Sequence, residues 1–460
     1  MKNSIKKLLF LFPLIVILPV TIIAVKKILD FRKGASGTLA NIVVDASSPQ
    51  APINPQLWQN FAQGGEEPKD MLESVVSEIT ALNPQVIRID HIYDYYNVYR
   101  SDGSFDFSKL DEVVKTIVKT GAVPMFSLSY IPSSLSTDGS IISPPKDWTS
   151  WQRLVQKTVE RYSGRNEFNM ENVYYEVYNE PDLFGNWHYA KDPNYLTLYY
   201  HSALGAQSAQ NVNPFKIGGP AITGFYPNWI KALFKYASNN SLRVDFVSWH
   251  RYSPNLSDYD NDFESLNEIL TDYPNYFGVE RLITEFGPES EYSSWYSNQV
   301  GAAHALAVTT HLLGKVHRVF AFELKDGVSK PGIENNTQWG MITHENNGKQ
   351  TKPRYQGYLF LNNLTGKRLP LEGMGSWVSG VAAIDGKVIK ILLVNFDPNN
   401  RHSEFVPLKI NGLAAINYEM SLNYLFSQDS KIVKSALEGK LFHRVALSPN
   451  DAVMITLTKK

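Results

Sequence analysis

Residues 174–183 read YYEVYNEPDL. Tyr174, Tyr175, Val177 and Tyr178 are strong β-formers, and the run then stops on Asn179, Glu180 and Pro181. Proline has no N–H to give a ladder and disfavours helix at the residue before it. The stretch therefore predicts a buried strand that ends by presenting an amide and a carboxylate. Working outward, seven more apolar runs accompany it before residue 330: LWQNFA (57–62), VIRID (86–90), AVPMFSL (122–128), KIGGPA (216–221), VDFVSWH (244–250), RLITEF (281–286) and HRVFAFE (317–323), with VYYEVYN (173–179) as the fourth in order.

The gaps carry amphipathic helical patterns such as DMLESVVSEITAL, SKLDEVVKTIVKTG and WTSWQRLVQKTVERYS, with apolar residues at i, i+3, i+4 and i+7. Eight strands alternating with helices are the signature of an α/β fold, a closed (β/α)8 barrel. A doubly wound sheet would want a Gly-rich phosphate loop after its first strand, and FAQGGEEP lacks that spacing. After residue 366 the period changes to two, with turn residues between runs, which predicts an antiparallel β-sandwich. The chain thus divides into a linker with an early strand (34–48, LANIVVDAS at 39–47 expected to pair with the sandwich), a barrel (49–365) and a sandwich (366–460).

Residues 1–33 form the remaining segment. Basic MKNSIKK precedes an unbroken apolar run of 18 residues, Leu8 to Val25, enough to cross a bilayer. No small-residue cleavage site follows directly, since Lys26 and Lys27 come next. The expectation is an N-terminal transmembrane helix, an uncleaved signal anchor that holds the barrel outside the cytoplasm at the cell membrane. The alternative is secretion after processing near GASGTLA (34–40).

Lys and Arg total 44 against 45 Asp and Glu, a formal net charge of -1, so no nucleic-acid partner is expected. Cysteine is absent, which excludes thiol catalysis, disulfides and Cys-based metal sites. The histidines form no zinc-type helical pair, no calcium loop is present, and no Gly-x-Ser-x-Gly elbow offers a serine nucleophile; neither cofactor nor metal is expected.

In a barrel, polar residues at strand ends face one mouth. Those ends supply Arg88 and Asp90 from the second strand, Asn179 and Glu180 from the fourth, His250 and Tyr252 from the sixth, and Glu285 from the seventh. Two glutamates at one mouth are the minimal equipment for breaking a glycosidic bond: one protonates the leaving oxygen, the other meets the charge that grows on the anomeric carbon. Glu289 and Glu291 are rivals for Glu285 but lie beyond Gly287 and Pro288, in the loop.

Seven stretches in order, among them VIRIDHIYDYYNVY, VPMFSLSYIPSSLS, YEVYNEPDLFGNW, VDFVSWHRY and LITEFGP, resemble glycoside hydrolase family 39 of the retaining barrel clan, the family of β-xylosidases and α-L-iduronidase. The resemblance implies Glu180 as general acid/base, Glu285 as nucleophile, and Asn179 as the amide that meets the sugar 2-hydroxyl. It also implies Arg88 beneath the nucleophile, with Tyr252 or His250 in its hydrogen-bonding set. The chemistry asks the same of Glu285: a nearby cation and donors are expected to lower its pKa. A double displacement follows, with retention of configuration and carboxyl groups about 5 to 5.5 Å apart.

The family pattern is not followed throughout. Phe322 or a neighbour stands where the last strand often has Trp, and the usual Arg-x-His is shifted, leaving Asp90 and His91 without an assigned part. Lys325, Glu323 and Asp326 are possible substrate contacts, and Trp187, Trp295 and Trp339 are stacking candidates by composition. The expected function is hydrolysis of an extracellular polysaccharide or glycoconjugate; the competing reading is a catalytically weak surface protein that only binds carbohydrate.

Overall fold

A computed structural model describes residues 37–328 and 338–460. The expected anchor over 1–33 lies outside those residues; among the described ones no helix is long and apolar enough to cross a membrane. Strand β1 (Ile42–Asp45) comes first. Eight parallel strands then close into a barrel: β2 (Asn60–Gln63), β3 (Val86–Ile89), β4 (Val123–Ser127), β5 (Val173–Glu176), β6 (Phe215–Ile222), β7 (Phe246–Tyr252), β8 (Glu280–Gly287) and β9 (Arg318–Phe322), with β2 paired to β9. Each of the eight apolar runs overlaps one of these strands.

Helices on the outside cover the barrel because their sequences put apolar side chains on one stripe. Helix Ser108–Lys119 buries Leu110, Val113, Val114 and Ile117, spaced as one helical face requires. Helix Trp148–Ser163 starts at Asp147, whose carboxylate accepts the N–H groups of Thr149 and Ser150; such a cap contributes about 1 kcal/mol.

Inside the barrel the period-two alternation turns Ala62, Val86, Met125, Tyr174, Phe246, Leu282 and Phe320 inward as one apolar cluster. Strand β6 contributes no side chain to it. A Cβ on Gly218 would stand 2.7 Å from the Phe246 ring, so glycine there makes room for the phenylalanine. One inward step further along the strands the residues become polar: Arg88, Ser127, Glu176, Ser248 and then His250 are all buried. That change from apolar to polar marks the floor of the mouth.

The C-terminal part forms two sheets. One has four strands, β11 (Leu371–Glu372), β1, β14 (Glu404–Asn411) and β17 (Leu441–Leu447), in that order. The other has six: β10 (Lys367–Leu369), β12 (Val378–Asp385), β13 (Val388–Asn395), β18 (Ala452–Lys459), β15 (Asn417–Tyr424) and β16 (Ser430–Ser435). Their facing sides enclose Ile42, Val44, Leu393, Leu408, Ile410 and Ile455. The sandwich is not wholly antiparallel as expected. Strand β1 runs parallel to β14, from Ile42 opposite Leu408 to Asp45 opposite Asn411. It arrives from the far end of the chain, so no hairpin imposes an antiparallel sense.

The six-stranded sheet also buries its outer face. Val381, Leu392, Val394 and Met454 merge with the core between strands and helices of the barrel, which is why VIKILLVN reads as a continuous apolar run rather than an alternating one. Thr310 of helix Gln299–Leu312 meets Ser379 at 2.8 Å across this junction.

Candidate active site

Arg88 organises the floor. Its guanidinium donates to Glu176 Oε2 at 2.6 Å, Glu285 Oε1 at 2.7 Å and Asn179 Oδ1 at 2.7 Å. The side chain is 1% exposed, so these three bonds, one from each nitrogen, stand where water would otherwise bind. Burial opposes its charge, but Glu176 and Glu285 outweigh that and hold the guanidinium firmly protonated.

Glu285 reaches this floor through a bulge. Simple alternation from inward-facing Leu282 would send residue 285 to the outer side of β8. Between Trp249/His250 of β7 and Ile283/Glu285 of β8 the register slips by one, and the pairing of β8 with β9 slips at the same place. The extra residue, Thr284, restores Glu285 to the mouth, the kind of re-aiming bulges provide beside sites. Tyr252 then donates to Glu285 Oε2 at 2.7 Å.

The β5 ladder ends at Glu176, three residues before the end of the apolar run, because side chains take over its backbone partners. Ser127 donates to the Tyr178 carbonyl at 2.9 Å and Tyr195 to the Val177 carbonyl. Glu180 has φ 43°, in the left-handed region that non-glycine residues seldom occupy. Its own N–H bonds the carbonyl of Ala221 at 2.9 Å, and its carbonyl accepts the N–H groups of Leu183 and Phe184, which offsets the strain. Asn179 is fixed at both ends: Oδ1 accepts from Arg88 and Nδ2 donates to Tyr130 Oη at 2.8 Å. One amide N–H of Asn179 is left to face the cleft.

His250 stands between the two acids. Its Nδ1 lies 2.8 Å from Glu180 Oε1 and 3.5 Å from Glu285 Oε2. It therefore serves Glu180 more closely than Glu285, whereas the sequence resemblance put it with Glu285. Burial pushes the imidazole toward neutrality, but Glu285 and then Glu180 raise its pKa above the usual value. Glu285 departs from expectation in the opposite sense to the one argued from its neighbours: its pKa is raised, because burial and the charge of Glu180 exceed the lowering by His250, Arg88 and Tyr252.

Glu180, His250 and Glu285 each bring one ligand-type atom within 4.8 Å of the others. A cation could bridge that spacing, but both oxygens of Glu285 already accept from Arg88 and Tyr252, and a dication there would face the guanidinium. The set is better suited to holding and moving protons. It opens into a cleft of about 610 Å³ whose lining includes Asn179, Glu180, Tyr252 and Glu285 together with Asp90, His91, Phe322 and Trp339.

Other expected site residues divide clearly. His91 stacks on Tyr95 with ring centroids 4.1 Å apart and bonds Asp94 at 2.8 Å. Phe322 stands edge-on to Trp339 at 6.2 Å, so these two rings take the wall expected of a strand-borne Trp. Trp187 is a correction: it is buried behind the mouth against Tyr178, since Gly185 turns the loop inward, and it is not part of the cleft lining. Lys325 is another. Its ammonium is fully buried on Met71 O, Ser74 Oγ and Glu345, so it ties a loop down and does not line the cleft. Trp295 packs on Phe396 instead of the cleft. Sequence reasoning missed Glu176, Tyr130 and Glu66. Glu176 had a usable signal, a charged residue two places from Tyr174 and thus on the inward face of the strand.

The sequence model of Glycosyl hydrolases family 39 matches residues 42–306. The chain belongs to glycosyl hydrolases family 39. It is 25% identical over 234 residues to a β-xylosidase of Geobacillus stearothermophilus, covering 46% of this chain and 45% of that one. It is 27% identical over 165 residues to a β-xylosidase of Caldicellulosiruptor saccharolyticus, covering 34% and 32%. These alignments thus span less than half the length of either relative. Solved structures extend the likeness of fold over nearly the whole chain. The family 39 enzyme from Xanthomonas axonopodis pv. citri superposes with a TM-score of 0.72 at 19% identity, covering 93% of this chain and 99% of that one. A monomeric β-xylosidase from Caulobacter crescentus CB15 gives 0.72 at 18%, covering 91% and 99%.

Proposed function

We propose that this family 39 chain is a retaining O-glycosidase that works by double displacement. Glu285 attacks the anomeric carbon while Glu180 protonates the departing oxygen; water then enters against the glycosyl-enzyme ester with Glu180 as base. The observation that carries this reading is the approach of Glu180 and Glu285, oxygen atoms within 4.8 Å, over an arginine that bonds the second of them. Inverting pairs stand about 6.5 to 9.5 Å apart to admit a water, and retaining pairs about 5 to 5.5 Å.

Each neighbour then has a part. Arg88 and Tyr252 hold Glu285 ionised and aimed, so that it does not reorganise when it attacks. Asn179, its oxygen anchored by Arg88, offers its free N–H to the sugar hydroxyl beside the reacting carbon. His250, bonded to Glu180 and close to Glu285, is placed to carry a proton's charge between them as Glu180 changes from acid to base. The substrate we favour is an extracytoplasmic polysaccharide or glycoconjugate, on the ground of the apolar Leu8–Val25 run, with the chain tethered to or exported across a membrane.

The test is an assay of Glu180→Ala and Glu285→Ala on a panel of aryl glycosides, with proton NMR of the first-formed anomer. Both variants should lose turnover, azide should restore Glu180→Ala by giving a glycosyl azide, and the first product should keep its configuration. An inverted first product would refute the double displacement, and a wild-type chain inert on the whole panel would refute the glycosidase.

A further inference from the structure

Across the mouth from β5, four strands around the barrel, lies a second pair of acids that the mechanism does not use. Glu66 lines the cleft from the loop after β2. Glu323, directly after β9, is wholly buried behind it. Both converge on one amide: Gln63 Nε2 donates to Glu323 Oε2 at 2.8 Å and to Glu66 Oε2 at 3.2 Å. Glu323 Oε2 also accepts the N–H of Gly64 at 3.1 Å, while Oε1 is buried with no donor among the described residues. Glu66 and Glu323 thus share the amide of Gln63, and burial raises the pKa of both. The backbone is shaped for the arrangement. A Cβ on Gly64 would lie 2.4 Å from Glu66 Oε1 and 2.9 Å from the Phe322 ring, so glycine leaves the space in which the Glu66 carboxyl rests beside the cleft wall.

Building on the glycosidase reading, we propose that Glu66 is a specificity-determining residue, with Gln63 and Glu323 as positioning residues. It accepts hydroxyl groups of an uncharged glycone remote from the anomeric carbon and turns away sugars that bear a carboxylate. Several observations favour this occupant. The reacting carbon must lie near Glu285 and Asn179, which leaves the wall of Glu66, Phe322 and Trp339 for the far side of the ring. Asp90 also lines the cleft and its Oδ1 is buried without a donor among the described residues, a second acceptor for sugar hydroxyls. A uronate would add its charge to those of Glu66 and Asp90, and Arg88 is already engaged by Glu176 and Glu285.

The groups facing Glu66 are Glu323, Gln63, Asp90, His91 and Tyr95. Burial, with Asp90 adding to it, pushes Glu66 up to about 7. The rejection of uronates is then weak where Glu66 is protonated and strengthens as pH rises through that value.

The experiment measures kcat/KM of the full chain and of Glu66→Gln on 4-nitrophenyl β-xyloside, β-glucoside and β-glucuronide from pH 5 to 9, with thermal melts as the folding control. The wild type should favour an uncharged sugar, by a ratio that grows with pH. In Glu66→Gln the uncharged/uronide ratio should fall about tenfold or more, the loss of one charged hydrogen bond, and lose its pH dependence. Glu323→Gln, which leaves the Glu66 carboxyl in the cleft on Gln63, should keep the preference. An unchanged ratio in folded Glu66→Gln, or a wild type that prefers the uronide, overturns the inference while leaving the glycosidase standing. A wild type inert on these and on the wider panel removes the glycosidase reading and this one with it.

Discussion

Replacing Arg88 by Met would test the floor of the site as a unit. The substitution keeps the length of the side chain but removes donors from three acceptors, at 2.6, 2.7 and 2.7 Å. Two of these are buried carboxylates, and among the described residues Glu176 has no other donor: its Oε1 is already unmatched. Removing one partner of a buried ion pair costs about 3 to 5 kcal/mol, because the charge left behind is neither solvated nor paired. Against a typical stability of about 5 to 15 kcal/mol this is a large share, readable as a lowered urea midpoint. Activity should fall further than stability. Loss of the cation raises the pKa of Glu285 beyond its already raised value, so less nucleophile is ionised at neutral pH, and Asn179 loses the bond that orients it. A second substitution separates the two effects. In Arg88→Met with Glu176→Gln, the buried charge at Glu176 is gone, so much of the stability should return while turnover stays low. If Arg88→Met unfolds at the wild-type urea midpoint, or if the double variant regains turnover along with stability, the description of Arg88 as the counter-charge of the nucleophile is wrong.

Tyr252→Phe removes the 2.7 Å bond to Glu285, and with it one of the contacts that lower its pKa; kcat/KM should fall roughly 10- to 100-fold and its acid limb should move to higher pH, whereas a limb that stays or moves down contradicts the assignment. Because the folded pKa of Glu285 lies above 4.5, the folded state binds more protons than the unfolded one between those two values, so stability declines as pH rises across that window; Glu285→Gln should flatten this decline in melts taken from pH 4 upward. Lys325→Met should lower the melting temperature, through loss of its bonds to Met71, Ser74 and Glu345, while KM changes little; a KM effect without destabilisation would return it to the substrate. Trp187→Phe should likewise act on stability alone, since the ring packs on Tyr178 out of reach of the cleft.

Much of the fold was legible because the barrel repeats one pattern eight times, and a strand error in one repeat is corrected by the rest. Glu180 and Glu285 stood out for a similar reason: each stands at the end of a β-run just ahead of a turn, Pro181 directly after Glu180 and Gly287-Pro288 two residues after Glu285. What could not be read was depth. Trp187 and Lys325 follow strand ends as plausibly as Phe322 does, yet loop backbones fold them inward, and no periodicity reports that. The bulge at Thr284 was hidden because an extra residue leaves no mark in composition, although without it Glu285 would face the helices. Direction of the pKa shift at Glu285 depended on how far burial outweighs Arg88, a balance set by the three-dimensional site. Tyr130 and Glu66 were overlooked since neither terminates a strand; both come from loops that reach back over the mouth. The parallel sense of β1 was equally out of view, as pairing between segments so remote leaves no turn signature.

That strand has a consequence for biosynthesis. The Ala40 N–H donates to Glu404 at 2.6 Å across 364 positions, and β1 lies between β11 and β14. On the ribosome, β1 emerges before the barrel and must wait, both edges bare, until the last quarter of the polypeptide is made. The barrel is thereby bracketed between the earliest and latest parts of the chain. A release of the nascent chain before Glu404 would leave an unclaimed β-edge in front of a folded catalytic unit, so truncated products should be sticky rather than merely shorter.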